Sequence, residues 1–151
     1  MPIAPLEHIR SRVGSEVGLS SWLTIDQSRI DSFAEATEDR QFIHVDPEAA
    51  ARTAFGGTVA HGFLSLSMLS RMAAEAMLVP EGVRMAVNYG LDRVRFISPV
   101  RSGKRVRGHF VLDSIDEKAP GQLLLRHSVT VEVEGVDKPA LTAQWLGLLF
   151  I

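Results

Sequence analysis

With 151 residues, 46% of them hydrophobic and 23% charged, the chain has the composition of one globular domain spanning 1–151 and is short for two. A formal net charge of −2 offers no general attraction to nucleic acid or to an anionic membrane surface. The absence of cysteine excludes disulfides, thiolate metal sites and thiol catalysis, and it suits a reducing compartment.

The N-terminal stretch from Met1 to Arg10 lacks the uninterrupted apolar core of a signal peptide. No run approaches the ~20 apolar residues of a membrane span, so we expect a soluble cytoplasmic protein. Residues 6–18 are weakly patterned and end in Gly14 and Gly18, which predicts a short helix and a turn. Ser21 to Ile25 predicts a first strand. Asp26 is placed to cap a helix over Gln27–Thr37, with Ile30, Phe33 and Ala34 on one buried stripe.

No apolar residue continues that stripe before Phe42, so Asp39 to Val45 reads as a loop. Asp46-Pro47 restarts helix, aspartate suiting the cap and proline the first helical position, and a short alanine-rich helix follows over 47–53. Gly56-Gly57 permits a turn that other residues resist. From His61 to Met77 the pattern is helical and carries no charge between Gly62 and Ser70. A helix apolar nearly all round is a buried one. Arg71 and Glu75 mark the narrow face where it surfaces.

The remainder reads as four long strands. Met85, Val87, Tyr89 and Leu91 alternate with Arg84, Ala86, Asn88 and Gly90, and the phase then flips at Val94 and Phe96, which predicts a bulge near Asp92-Arg93. Val106, Phe110 and Leu112 mark the next strand, Leu123 to Val133 another, and Leu141 to Ile151 the last. The end of that strand is apolar on both faces and should be covered on both sides. His127 shares a face with Val129 and Val131, which predicts core packing. The fold class is α+β, an antiparallel sheet wrapped around one buried helix.

Two stretches carry chemistry. Asp39-Arg40-Gln41-Phe42-Ile43-His44-Val45-Asp46-Pro47 sets a carboxylate and an imidazole five residues apart, and Ala60-His61-Gly62-Phe63 opens the buried helix. Together they resemble the MaoC-like (R)-specific enoyl-CoA hydratases and dehydratases, and within them the nodulation-protein-N-like subgroup, over residues 20–151. Three positions depart from that pattern: Glu38 stands where it has glycine, Gln41 where it has asparagine and Phe42 where it has proline. The resemblance implies a hot-dog fold, a curved antiparallel sheet of about five strands around a long central helix. It also implies a homodimer whose sheets join edge to edge, with the acyl chain running between protomers along the helix.

Hydrating an enoyl thioester requires a water deprotonated at C3, a proton delivered at C2 and a stabilised charge on the thioester oxygen. Asp39 and His44 suit the first two tasks, since a carboxylate and an imidazole on one water can exchange base and acid roles. A helix N-terminus suits the third, and the resemblance places that contact at the backbone N–H of Gly62. It places Gln41 where a side chain orients the carboxylate and the water. His61 either orients a ligand or caps the central helix, and Phe42 adjoins the substrate.

His44, Asp46 and His61 offer two imidazoles and a carboxylate, but Asp46 is spent on its helix cap, so we expect no metal. No redox cofactor is expected either, coenzyme A being part of the substrate. The serines of the central helix form no Gly-x-Ser-x-Gly motif, against a nucleophile-elbow hydrolase. Arg84, Arg93, Arg95, Arg101, Lys104, Arg105 and Arg107 either protect strand edges or bind coenzyme A phosphates. Rival readings are a dehydratase acting on carrier-protein thioesters, a hot-dog thioesterase, and a non-catalytic acyl-thioester-binding subunit.

Overall fold

The computed structural model describes all residues, 1–151. Helix α2 (Gln27–Thr37) begins where Asp26 accepts a hydrogen bond from the Arg29 amide, the local cap read from the sequence. It ends at Glu38, whose φ of 61° lies in the left-handed region. Glycine is the residue that accepts such a position without strain, and glutamate occupies it here. A single helical turn, α3 (Phe42–Val45), then interrupts the expected loop, followed by α4 (Pro47–Ala51), capped by the Asp46 carboxylate on the Ala49 amide. The first residues form a two-residue strand β1 (Ile3–Ala4) and helix α1 (Leu6–Ser11).

The buried helix is divided into α5 (Gly62–Ser67) and α6 (Leu69–Ala76). Bonds from the Met68 amide to the Leu64 carbonyl and from Met72 to Met68 carry the ladder through the junction. The Ser67 hydroxyl donates to the Phe63 carbonyl at 2.8 Å. Such back-bonding competes with the main-chain ladder and bends helices, which accounts for the irregularity.

Around this rod lies a six-stranded antiparallel sheet. Its long members are β5 (Met85–Phe96), β6 (Lys104–Ala119), β7 (Gln122–Val133) and β8 (Leu141–Phe150). Two short strands, β2 (Glu16–Leu19) and β3 (Leu23–Ile25), both pair with β6, and β4 (Val79–Pro80) runs parallel to β1. The strand order is β2-β6-β7-β8-β5. β2 replaces part of the turn expected over 6–18. Gly18 makes it possible, because a Cβ there would lie 2.0 Å from the Ala76 carbonyl oxygen at the end of α6.

Ile25, Met72, Phe110, Val131 and Leu141 are fully or almost fully enclosed between helix and sheet, and His127 is buried with them as expected. Register shifts between Asp92 and Arg95, and Arg93 has φ 53°, the bulge read from the change of phase. Met85, Val87, Tyr89 and Leu91 of β5 are all exposed, and Val87 and Leu91 line cavities against the helix together with Ala86, Asn88 and Gly90. β5 is an edge strand, so its outer face and its free ladder are both open. No helix is long and apolar enough to cross a membrane.

Candidate active site

The left-handed turn at Glu38 swings the chain off α2, so that Asp39 and the α3 turn fold back against the start of the central helix. Hydrogen bonds from the His44 amide to Gln41 O and from Asp46 to Phe42 O close that turn and aim His44 inward. His44 is buried, whereas Asp39, Gln41 and Phe42 are exposed. Ligand-capable atoms of Asp39, His44 and His61 all lie within 4.8 Å of one another. Two polar atoms at that separation have room for one bridging water, each hydrogen bond being about 2.8 Å long.

The protonation of the imidazoles follows from their partners. His44 Nδ1–H donates to the Val59 carbonyl at 2.6 Å, which leaves Nε2 as the free lone pair in the neutral ring. His61 Nε2–H donates to the Asp39 carbonyl at 2.9 Å. The two rings stack with centroids 3.7 Å apart and planes 25° from parallel, and Phe33 lies against His61 at 5.0 Å. His61 thus touches both members of the pair, one through its ring face and the other through the backbone. It makes no side-chain cap bond to the helix, and it is buried behind His44.

The stack also bears on metal binding. An ion held by two imidazoles sits about 2 Å from each nitrogen, in the plane of each ring. Nearly parallel rings 3.7 Å apart direct their in-plane lone pairs side by side and not toward one point. Asp46, the carboxylate considered beside them, accepts its cap bond from the Ala49 amide at 3.0 Å.

Gln41 reaches Asp39 through its main chain: its amide donates to Asp39 Oδ1 at 3.4 Å, and its side chain has no hydrogen-bond partner. Gly62 is the first residue of α5, so its N–H has no acceptor within the helix. The Phe96 ring closes over it, and a Cβ at this position would lie 3.0 Å from that ring. Phe63 meets the same ring edge-on at 6.0 Å.

Three contributors escaped the sequence reading. The Gln27 side chain donates to the His44 carbonyl at 2.7 Å and to Asp31 Oδ1 at 2.8 Å, and its own oxygen accepts from the Thr58 hydroxyl at 2.5 Å. Thr58 precedes Val59, whose carbonyl holds the His44 ring, so one amide side chain clamps both ends of the tether. Nothing in the local pattern marks Gln27, which lies 17 residues from His44 in the chain. Of the basic residues in the β half, Arg105 pairs with Glu134 and Arg107 with Glu132, with Arg107 also 4.5 Å over the Trp22 ring. Both pairs tie β6 to β7 or to the residue that follows it, within the sheet and not at its free edges.

Comparison with known proteins shows the family. Residues 8–134 match the family described as MaoC like domain. The chain is 52% identical to Nodulation protein N of Rhizobium leguminosarum bv. viciae, covering 95% of this chain and 90% of that protein. It is 46% identical to the 3-hydroxyacyl-thioester dehydratase Z of Mycobacterium tuberculosis (strain ATCC 25618 / H37Rv), covering 90% and 89%. Its fold superposes on the (R)-hydratase from A. caviae involved in PHA biosynthesis with a TM-score of 0.70 at 25% identity, over 87% of this chain and 95% of that one.

Proposed function

Because the chain belongs to the MaoC-like dehydratase family, we propose that it reversibly adds water to a trans-2-enoyl thioester, giving the (R)-3-hydroxyacyl thioester, with Asp39 and His44 as the acid–base pair. The observation that carries this reading is the placement of the Asp39 carboxylate within 4.8 Å of His44, whose Nδ1–H is committed to Val59 O. That commitment leaves His44 Nε2 free to exchange a proton.

In the hydration direction one member of the pair accepts a proton from the bridging water as its oxygen bonds to C3. The C2–C3 π electrons move toward the thioester carbonyl, and the proton taken from the water, passed within the pair, is delivered to C2, so that carboxylate and neutral imidazole end as they began. Dehydration reverses each movement. The Gly62 N–H is the donor for the oxygen that gains negative charge, and losing one such donor typically costs a factor of ~10²–10³ in rate. No step calls for a metal or a redox group. His61 holds the pair in place from behind, and the exposed edge strand β5 supports association of two copies through their sheets. The Asp-His chemistry is the same for coenzyme A and carrier-protein thioesters.

The test is the loss of enoyl-thioester absorbance with crotonyl-CoA. Wild type is expected to consume it, and Asp39→Asn and His44→Ala each to lose at least ~10²-fold in kcat, the usual cost of an acid–base group. Near-full activity in either variant removes that residue from the role given to it here.

A further inference from the structure

The segment that orients His44 is itself held in place. Val59, whose carbonyl receives the His44 Nδ1–H, also donates its amide to the Ile43 carbonyl at 3.0 Å, so one residue grips both the ring and the backbone of the α3 turn. The strap that carries Val59, residues 56–60, belongs to no helix and to no long strand. Main-chain bonds seam it to the turn between β5 and β6. The Ala60 amide donates to the Val100 carbonyl at 2.7 Å and the Ser102 amide to the Thr58 carbonyl at 2.9 Å, which sets Arg101 directly opposite Val59.

The Arg101 side chain extends this seam. Its guanidinium donates to the Gly56 carbonyl and covers the Gly56-Gly57 turn. A Cβ on Gly57 would lie 3.0 Å from Arg101 Nη2 and 3.7 Å from both Cζ and Nε. Gly56 has φ 64°, a conformation that favours glycine, while at Gly57 the guanidinium takes the space of a side chain. Arg105, Arg107 and Arg126 are paired with Glu134, Glu132 and Asp92, but no carboxylate pairs with Arg101. Its planar fork of donors is turned back onto its own chain, three residues before the carbonyl that holds His44.

We propose that Arg101 is a positioning residue for the acid–base pair: by pinning Gly56 it fixes the strap on which the Val59 carbonyl keeps the proton of His44 on Nδ1 and leaves Nε2 free. The proposal rests on the hydration reading above. Without the guanidinium, the dihedrals of two glycines are released just ahead of Thr58 and Val59, and the carbonyl that sets the ring shifts with them. A displacement of about 1 Å at a reacting group costs on the order of 10²-fold in rate. The main-chain seam survives removal of the side chain, so the expected cost is a part of that, about tenfold.

The experiment measures kcat and KM separately for wild type, Arg101→Leu and Arg101→Lys, with crotonyl-CoA and with crotonyl-pantetheine, which lacks every phosphate of the coenzyme. Arg101→Leu is expected to lower kcat about tenfold on both thioesters, with KM nearly constant. Arg101→Lys keeps one charged donor on a flexible stem, and it should recover kcat to within about threefold of wild type. In parallel, nitrogen-15 NMR of the substrate-free protein follows the His44 Nδ1–H resonance, assigned by its absence in His44→Gln. In Arg101→Leu that proton should exchange with solvent faster than in wild type. Melting curves check that each variant is folded at the assay temperature, and Arg101→Gln replaces Arg101→Leu if the apolar side chain is not accommodated.

A lowered Tm with unchanged kcat and an unchanged His44 signal overturns the proposal, since the seam then serves the fold alone. A rise in KM confined to crotonyl-CoA, with kcat retained, also overturns it and makes Arg101 a phosphate contact. So does a fall in kcat with an unmoved His44 resonance, because Arg101 then acts by another route. Absence of hydration by wild type, with the His44 proton still released in Arg101→Leu, refutes the reaction and leaves the positioning of His44 standing.

Discussion

Gln27→Ala separates positioning from mere folding. The substitution removes the acceptor of the Thr58 hydroxyl at 2.5 Å and the donor to the His44 carbonyl at 2.7 Å, along with an exposed contact to Asp31 that contributes little. The two part-buried bonds are worth about 1 kcal/mol each, and the His44 carbonyl losing its donor adds a desolvation penalty of similar size, for a total of about 2–3 kcal/mol. In a chain of this length each kcal/mol lowers Tm by about 2–4 °C, so a fall of roughly 5–10 °C is expected by calorimetry. Because the same amide restrains both the His44 backbone and the segment whose Val59 carbonyl orients the ring, kcat should fall about ten- to a hundredfold with KM nearly constant. Activity is read by enoyl-thioester absorbance well below the new Tm. A variant with lowered Tm and wild-type kcat would show that Gln27 ties the fold together without orienting His44.

Other expectations follow from single residues. Glu38→Gly relieves about 1–2 kcal/mol of left-handed backbone strain against about 0.5–1 kcal/mol of added chain entropy, so Tm should rise by a degree or two; a fall would show that the turn is not strained. Burial pushes His127 down to about 4, with Asp113 partly opposing the shift. The unfolded chain therefore binds a proton below about pH 6.5 that the fold refuses, and stability present above that pH is lost as pH falls toward 4, by up to about 3 kcal/mol. Denaturant titrations across that interval should show a shallower slope for His127→Leu, and an unchanged slope would refute the assignment. His109 has the opposite sign: partial burial opposes its charge, but hydrogen bonds to Glu16 and Glu132 outweigh it and raise its pKa. Its contribution is complete below about pH 6.5 and disappears as pH climbs through the raised value, so the Tm difference between wild type and His109→Asn should shrink from pH 6 to pH 9. A difference that grows with pH would reverse that reasoning.

Much of this molecule was legible along the chain because the determining physics is local. Asp26 and Asp46 cap the helices read from them, since a cap needs only a carboxylate three residues before an amide. The flip of hydrophobic phase marked the bulge at Arg93, and the charge-free run after Gly62 marked the helix that the sheet encloses. The acid, the imidazole and the helix start could be read from their spacing. What joins them could not. The clamp from Gln27 to Thr58 and His44, and the stack of His61 on His44, connect residues 31 and 17 apart in the chain, brought together only when α2 packs on the central helix. The surroundings of β5 were decided in the same way. A period of two shows that the two faces of a strand differ, but only packing shows what meets them, and here a register shift after Asn88 brings Val87 and Leu91 to the same cavities as Ala86, Asn88 and Gly90.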